Sequence, residues 1–401
     1  MPILADSNNC SGCLACVESC NLNAISAVWN DEGHLTYQVN YDKCVECHRC
    51  EKSCPVVNGC QYGSNDLTLS KPYAAWCTTE VLRAQSTSGG VFAAIASNVL
   101  NKGGIVYGAS MQDSVIKHIA IDRTENLYKL QGSKYAQSST KGTYRDVLKQ
   151  LKKGRLVLFS GLACQVAGLL NFLPANMSID NLITIDLICG GVPSRALITK
   201  YLEQEKENVK EIASFRTKSL YQFVIVKHNN TKEIVPLALK PLPLCGFYTE
   251  LTNKMICYNC RYVGAHRMSD ITIGDYWGDV EYMDQHKNGL SVAVAHTEKA
   301  LTVLMDSDLE IHPISWDTFL MHNTRMVYGV NRLSKSHRRK RLADAIKHDS
   351  FRKFMIDYAN AATPRQPLYF LRKLIVFAES RLLPDKRRIF VRNLLKIYKK
   401  K

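Results

Sequence analysis

The sequence predicts a multidomain protein of the α+β and α/β classes, with a small cysteine-rich module, an α/β body and a basic helical tail. Three observations support this fold class. Eight of the 15 cysteines lie between Cys10 and Cys54 at regular spacing, strand and helix patterns alternate from about residue 72, and the net charge of +16 is concentrated at the C-terminus. Because 401 residues exceed one ordinary core, we expect two or three domains.

Residues 1–63 carry the cysteine spacing of a bacterial two-cluster ferredoxin. The run C-x2-C-x2-C-x3-C occurs twice, and Pro55 follows the second run. In this pattern three cysteines of a run bind one 4Fe–4S cluster and the fourth binds the other. The residues between the runs, 25–39, predict a small hairpin with its turn at 31–33. The spacing predicts two clusters with crossed ligands: Cys10, Cys13, Cys16 and Cys54 for the first, and Cys44, Cys47, Cys50 and Cys20 for the second.

Zinc is the competing interpretation of this module, because paired C-x2-C motifs also mark zinc sites. A zinc ion needs only four ligands and requires neither the repeated spacing nor the proline. The pattern therefore favours iron–sulfur clusters. Asn21 stands where a proline often follows the first run, and we expect it to alter the potential or solvent access of a cluster rather than prevent ligation.

The sequence also predicts a cytoplasmic location. Residues 1–6 have neither the basic start nor the apolar core of a secretory signal, and thiolate ligands persist in a reducing compartment. The charge-free run 156–179 is long enough to cross a bilayer. Ser160-Gly161 and Pro174 interrupt it, which favours a strand and a helix of a soluble core.

The body begins after a linker at residues 56–70, which is rich in Asn, Gly and Ser. Strand and helix signals then alternate, which is typical of an α/β domain. Neither G-x-G-x-x-G after a strand nor a P-loop motif occurs, which argues against a Rossmann dinucleotide fold and a P-loop nucleotidase. Strands are expected at 73–77, 105–109, 116–121, 156–159 and 183–189, and helices at 91–100, 143–151 and 165–172.

Six motifs in the body follow one another in a characteristic order. They are STSGGVF at 86–92, QGSKYAQS at 131–138, LFSGLACQVAGL at 158–169, DLICGGVPS at 186–194, Cys257-x2-Cys260, and SDITIGDYWG at 269–278. From about residue 72 to 325 the chain thereby resembles the β-subunit family of coenzyme F420-reducing hydrogenases and dehydrogenases. The resemblance implies an FAD-binding domain, with an N-terminal part at 72–151 and a C-terminal part at 152–331 that holds a third 4Fe–4S cluster.

The resemblance implies a ligand set for this third cluster: Cys164, Cys189, Cys257 and Cys260. Each of these cysteines taken alone would be read as a buried free thiol. Gly190 departs from the family pattern, which usually has histidine there, and the missing imidazole could have tuned the cluster or carried a proton. Cys60, Cys77 and Cys245 match no ligand motif and are expected to be structural.

Three segments are expected to contact the flavin. Ser88, Gly89 and Gly90 precede a helix whose first N–H groups could meet the pyrophosphate, although a tight turn alone also explains the glycines. The second segment consists of Gly132, Ser133, Lys134 and Tyr135. The resemblance implies that it approaches the flavin, with Lys134 near the ring or the phosphates. The alternative is that Lys134 is an isolated surface lysine. The third segment could line the isoalloxazine pocket or pack in the core: Asp275, Tyr276 and Trp277. No catalytic residue is assigned.

The tail, residues 332–401, carries 21 Lys and Arg against 5 Asp and Glu, so the first 331 residues are net neutral. Residues 368–398 mix large apolar residues with Lys and Arg at helical spacing. Such a segment suits the surface of an anionic membrane, on its cytoplasmic face, or packing on the body with a solvated charged face. A nucleic-acid-binding role would explain the tail but leave the flavin motifs unused.

These features predict an iron–sulfur flavoprotein oxidoreductase. FAD would exchange hydride with a small molecule, such as a deazaflavin, NAD(P)H or another organic substrate. It would exchange single electrons with the iron–sulfur clusters. A redox partner, either a ferredoxin or another oxidoreductase, is expected at the far end of the chain of centres. The alternative is an electron-transfer subunit whose partner enzyme holds the substrate site.

Overall fold

The computed structural model describes residues 1–59, 70–218, 222–264, 267–277, 282–330 and 337–359. Cys60, part of the expected linker and residues 360–401 lie outside these ranges. The described chain has a mixed α/β fold, with a small N-terminal module and a larger body built on one extended sheet.

The N-terminal module contains two short helices, α1 (Ala15–Ser19) and α2 (Arg49–Ser53), and an antiparallel hairpin of β1 (Ile25–Trp29) and β2 (Leu35–Val39). The hairpin is the one that the sequence predicts. Each helix starts inside a cysteine run, and the residues before them, Leu14 and His48, both have left-handed backbone conformations with φ of 62° and 56°. The sequence repeat is therefore a structural repeat.

The body alternates strands and helices along most of its length. Its strands are β3 (Lys71–Cys77), β4 (Ile105–Gln112), β5 (Val115–Ile121), β6 (Val157–Ser160), β7 (Leu182–Leu187), β8 (Val209–Ser214), β9 (Phe223–Lys227), β10 (Lys232–Val235), β11 (Ile271–Asp275), β12 (Ser291–Ala295) and β13 (Leu309–Pro313). Its helices are α3 (Glu80–Gln85), α4 (Val91–Asn101), α5 (Thr143–Lys152), α6 (Ala163–Phe172), α7 (Ala196–Gln204), α8 (Leu242–Thr249), α9 (Met283–His286), α10 (Glu298–Met305), α11 (Trp316–His322), α12 (Arg325–Tyr328), α13 (His337–Lys340), α14 (Leu342–His348) and α15 (Phe351–Tyr358).

The main sheet has the order β13-β3-β12-β11-β7-β6-β4-β5. Its centre, β4, β6, β7 and β11, is parallel, and antiparallel strands extend both edges. The carboxyl ends of the parallel strands share one edge of the sheet, where α/β folds commonly bind ligands. Cys164 follows the end of β6, Cys189 follows the end of β7, and Asp275 ends β11.

Alternate residues of β6 supply two different cores. Leu158 packs in the cluster that contains α4 and α10 residues, whereas Val157 and Phe159 pack in the cluster of α5 and α6. All three side chains are fully buried, as expected for a parallel strand covered on both faces. The smaller sheet, β10-β9-β8, packs with α7, α8, α14 and α15 in another core.

Polar contacts lock the N-terminal module onto the body. Thr140 Oγ1 donates a hydrogen bond to the Cys13 carbonyl at 2.7 Å, and Arg145 Nε donates to the Glu18 carbonyl at 2.7 Å. The buried Arg339 of α13 forms two 2.7 Å hydrogen bonds with the carboxylate of Glu32, in the turn of the hairpin. The cysteine runs are therefore held in a fixed position relative to the sheet.

The sequence-based strands and helices of the body are confirmed to within a few residues, but three features differ. β7 ends at Leu187, so Cys189 lies in the following loop. The sequence analysis missed α3, the β8–β10 sheet, the helices α7 to α12, and the strands β12 and β13. Within the tail, residues 337–359 fold as helices against the body, with Arg341 paired to Asp349 and Asp357. The amphipathic segment 368–398 lies outside the described residues, and no helix among those described could cross a membrane.

Candidate functional site

Four thiols of the N-terminal module surround one cavity. The cavity is lined by the four cysteines Cys10, Cys13, Cys16 and Cys54. The rest of its wall is largely apolar and includes Leu4, Leu14, Tyr37 and Val56. Burial raises the pKa of Cys13 to about 12 and that of Cys16 well above its usual value. Buried thiols become thiolates when a positively charged centre compensates them. This first centre therefore has the donor set for a 4Fe–4S cluster, in the crossed grouping that the spacing predicts.

The second centre is more exposed than the first. Cys47 is exposed, Cys44 and Cys20 are half-buried, and Cys50 is buried. Burial is the main cause of the raised pKa of Cys50, and Cys47 contributes, which places these two thiols together. Cys50 also contributes to the raised pKa of Cys16, so the two centres are neighbours.

The body forms a third group of thiols at the carboxyl edge of its parallel strands. Burial is the main cause of the raised pKa of Cys164, and the other three cysteines of the expected set all contribute to it. Burial also raises the pKa of Cys189 to about 11 and that of Cys257 to about 12. Two of these sulfurs accept hydrogen bonds from backbone amides. The Gly191 N–H donates to Cys189 Sγ at 3.3 Å, and the Val192 N–H donates to Cys257 Sγ at 3.4 Å. The fold thus brings together the four cysteines that the resemblance implies.

The two remaining described cysteines lie elsewhere. Cys77 ends β3, and Cys245 is on α8 among apolar side chains. Neither has another cysteine among the groups that shift its pKa. In the described ranges, no three His, Cys, Asp or Glu side chains converge closely enough to hold a single metal ion.

Gly190, where the resemblance implies histidine, lies against the side chain of Arg325. A Cβ atom at this position would lie 2.1 Å from Arg325 Nη1 and 3.1 Å from Phe247 Cζ. The Arg325 guanidinium, held by Glu250 at 2.9 Å, occupies the space that a side chain at position 190 would need. It also acts on Cys189, whose pKa it lowers against the stronger effect of burial. The sequence analysis missed Arg325, because nothing local links it to the cysteines.

One helix, α6, joins the first and third centres. A Cβ atom at Gly168 would lie 2.9 Å from both Cβ and Sγ of Cys13. Cys164 lies four residues earlier, on the same face of the helix, and Cys13 contributes to its raised pKa. The Tyr144 hydroxyl donates to the Gln165 carbonyl at 2.9 Å beside this contact. The two centres are therefore separated by little more than one helical turn.

Arg216, which follows β8, contacts two of the three expected flavin segments and also Thr87, the residue before the other segment. Its guanidinium donates to both carboxylate oxygens of Asp275 at 2.7 and 3.1 Å, and to the Thr87 carbonyl at 3.0 Å. The Tyr135 hydroxyl lies 3.4 Å from Arg216 Nη1. Ser133 Oγ is 3.0 Å from Thr87 Oγ1, so the second segment also touches the residue before the first. No sequence motif marks Arg216, and the sequence analysis missed it.

The glycine-rich turn before α4 is tightly packed. Gly89 N–H donates to Ser291 Oγ at 2.9 Å, and a Cβ atom at Gly89 would lie 2.5 Å from the Ala75 carbonyl oxygen. Ser88 Oγ donates to the Leu290 carbonyl at 2.8 Å. Gly90 has φ of 85° and precedes α4, whose N-terminus has no side-chain cap. Gly89 thus serves packing, while the first amide groups of α4 are the donors suited to an anion.

Cations without carboxylate partners surround this turn in the described part of the chain. Lys134 Nζ donates only to the carbonyls of Leu130 and Gln131, at 3.0 and 2.7 Å, and burial lowers its pKa to about 8. The buried Arg83 donates to neutral oxygens of Gln285 and Gly289, and Lys218 Nζ donates to the Arg83 carbonyl. Uncompensated positive charge beside a helix N-terminus complements a pyrophosphate.

The residues of the third expected segment have different surroundings. Tyr276 is 3% exposed and packs in an apolar cluster with Val292 and Phe319. Trp277 is 44% exposed. Asp275 therefore reaches Arg216, Tyr276 supports the core, and Trp277 remains open to a ligand.

Comparisons with known proteins identify two family models that match parts of the chain. Residues 154–314 match the family model of the C terminus of the coenzyme F420 hydrogenase/dehydrogenase beta subunit, and residues 9–58 match the model of a 4Fe–4S dicluster domain. Among solved structures, a chain of the F420-reducing NiFe hydrogenase complex from Methanosarcina barkeri is similar, with 17% identity and a TM-score of 0.45. That match covers 66% of this chain and 90% of the other. A search of curated proteins finds no match.

Proposed function

We propose that this chain, which belongs to the coenzyme F420 hydrogenase/dehydrogenase beta-subunit family and carries a 4Fe–4S dicluster domain, is a flavin- and iron–sulfur-dependent oxidoreductase. The observation that carries the proposal is the continuous order of its centres. The exposed second centre adjoins the first, Cys13 of the first meets α6 at Gly168, and Cys164 of the third lies on the same helix. Such an order suits single-electron transfer across the molecule.

The residues around Arg216 would hold FAD, which exchanges hydride with a small molecule and passes the electrons on singly. The amide groups that begin α4, with Arg83, Lys218 and Lys134, would bind the pyrophosphate. The pairing of Arg216 with Asp275 fixes the position of Tyr135 and of the Thr87 turn. Its role is to keep these segments in place.

The twelve predicted cysteines would bind three 4Fe–4S clusters in the groups described above. Because Cys47 is exposed, the second cluster is the point at which a redox partner, such as a ferredoxin, exchanges electrons with the chain. The third cluster is the one that exchanges electrons with the flavin. Both directions of electron flow are compatible with this order, inward to an organic substrate or outward from a hydride donor.

The test is turnover by the purified holoprotein alone. An oxidoreductase should transfer electrons from a hydride donor, tested as NADH, NADPH and reduced F420, to an artificial one-electron acceptor of higher potential, such as ferricyanide. Reduced viologen with candidate acceptors tests the opposite direction. If no hydride donor reduces the flavin, and the clusters only exchange electrons with a partner, the result would contradict the proposal that this chain is an enzyme. It would support the second candidate function.

That second candidate is an electron-transfer subunit whose partner holds the substrate site. The exposure of Cys47 in the second centre is the observation behind it, because a cluster at the surface can exchange electrons with another protein. Adding a partner oxidoreductase to the reduced chain should then restore substrate turnover that neither protein shows alone.

The segment at 368–398 would attach the protein to the cytoplasmic face of an anionic membrane. Residues 360–401 hold 12 Lys and Arg against 2 acidic residues, and each cation near such a surface contributes about 1 kcal/mol. Full-length protein should co-sediment with anionic but not neutral liposomes, in a salt-sensitive manner, whereas a chain ending at Thr363 should not. Equal, salt-insensitive behaviour of both chains would contradict membrane attachment.

A further inference from the structure

Lys254 is buried between the first and third centres. Its side chain is 1% exposed, and its Nζ donates a hydrogen bond to the Leu35 carbonyl in the N-terminal module. A Cβ atom at Gly12, between Cys10 and Cys13, would lie only 2.7 Å from Nζ. The Lys254 ammonium therefore lies against the loop that carries two sulfurs of the first centre.

The same residue is tied to the third centre. Lys254 lies three residues before Cys257, and its N–H donates to the Val192 carbonyl at 2.8 Å. The N–H of Val192 donates in turn to Cys257 Sγ at 3.4 Å. The positive charge of Lys254 lowers the pKa of the Cys257 thiol, against the stronger effect of burial. One lysine thus acts on the surroundings of both centres.

No carboxylate in the described residues pairs with this ammonium. Arg339, which donates to the carbonyl of Asn253, the residue before Lys254, at 2.8 Å, is also positive, and Glu32 already pairs with it at 2.7 Å. His34 is buried with both ring nitrogens unpartnered, and burial, aided by Lys254 and Arg339, holds its pKa well below its usual value. An unpaired buried ammonium is costly, so another negative group must compensate Lys254.

We propose that Lys254 is a counter-charge shared by the first and third clusters, which raises the midpoint potentials of both. The inference rests on the proposed function, because the negative groups that it requires are the thiolate-bound clusters. Each cluster becomes more negative by one electron on reduction, and a nearby fixed cation stabilises that reduced state. Cluster potentials respond in this way to net charge and solvent exposure. Lys254 would make the inner clusters better electron acceptors than they would be without its charge.

The test is a redox titration, followed by electron paramagnetic resonance, of the holoprotein and its Lys254→Met and Lys254→Gln variants. Glutamine retains a donor for the Leu35 carbonyl, so it removes the charge with less disturbance of packing. Lys254→Arg retains the charge. Lys299→Met is the control for removal of a lysine distant from the clusters, because Lys299 Nζ donates to the Leu182 carbonyl, at the opposite end of β7 from Cys189, and pairs with Asp270 at 3.2 Å.

In both neutral variants the equilibrium constant for one-electron reduction of the first and third clusters should fall roughly tenfold. This corresponds to midpoint potentials lower by about 59 mV. The second cluster is the internal reference and should keep its potential, as should all three clusters in Lys254→Arg and Lys299→Met. Unchanged inner potentials, or an equal shift of all three clusters, would overturn the inference. So would selective loss of the inner clusters from both neutral variants, because that would show a structural role.

A different result would contradict the proposed function itself. Wild-type protein that holds about eight iron atoms would lack the third cluster and contradict the proposed relay. The role of Lys254 would then be decided on the first cluster alone.

Discussion

The thiol of Cys13 packs directly on Gly168, so that even a methyl group at position 168 would approach its Sγ to 2.9 Å. Glycine allows the first centre to lie against α6, the helix that also carries Cys164. In the proposed function, this contact would make the N-terminal module a part of the electron path rather than an appended domain.

Gly168→Ala should therefore separate the first centre from α6. Overpacking of this kind costs about 1–3 kcal/mol, and electron transfer between the first and third clusters should slow because the gap widens. Rapid-freeze kinetics and thermal unfolding measure the two effects. Gly108→Ala is the control, because its Cβ atom would meet Leu130 at an ordinary 3.4 Å. Equal transfer rates in both variants would contradict the proposed path.

Cysteine substitutions should separate ligands from structural thiols. Cys257→Ala should lose about four iron atoms and uncouple flavin reduction from the N-terminal clusters. Cys245→Ala should keep its iron and lose about 1 kcal/mol of stability from a buried apolar site. Iron analysis and flavin bleaching distinguish the two. If both variants behave alike, the division of the cysteines is incorrect.

The sequence predicted what short-range patterns can encode. Repeated spacing indicated the crossed grouping of Cys54 with the first run, and the strand pattern placed Cys164 after β6. Cys189 was expected inside the strand at 183–189, whereas β7 ends at Leu187. Arg216, Lys254 and Arg325 could not be found in this way, because each is an isolated cation whose partners are distant in sequence. The β8–β10 sheet was missed because its short strands lack the regular alternation of a clear strand signal.

Histidine at position 190 should displace Arg325 rather than unfold the protein. The conflicting atom ends a flexible side chain that is 39% exposed, so Gly190→His should cost about 1 kcal/mol or less. Loss of that positive charge should lower the potential of the third cluster. Arg325→Gln should lower it similarly, and the double variant no further, because both changes remove one interaction. Additive shifts in a redox titration would contradict this coupling.

Flavin binding should weaken as pH rises through about 8, where Lys134 loses its proton. Below that pH the ammonium attracts the pyrophosphate, and above it the attraction falls, by at most about tenfold per pH unit. Fluorescence titration of apoprotein with FAD between pH 7 and 9 measures the effect. Lys134→Met should bind more weakly at pH 7 and show no such step. The exposed pair of Lys102 with Asp306 supplies the control, Lys102→Met. A step that persists without Lys134 would exclude its role.

Cofactor stoichiometry of the anaerobically purified protein tests the central claim most directly. Three clusters and one flavin in a single chain predict roughly twelve iron and twelve acid-labile sulfide atoms, with about one releasable FAD that is yellow in solution. About eight iron atoms would remove the third cluster from the account, and a holoprotein without flavin would contradict the proposed oxidoreductase.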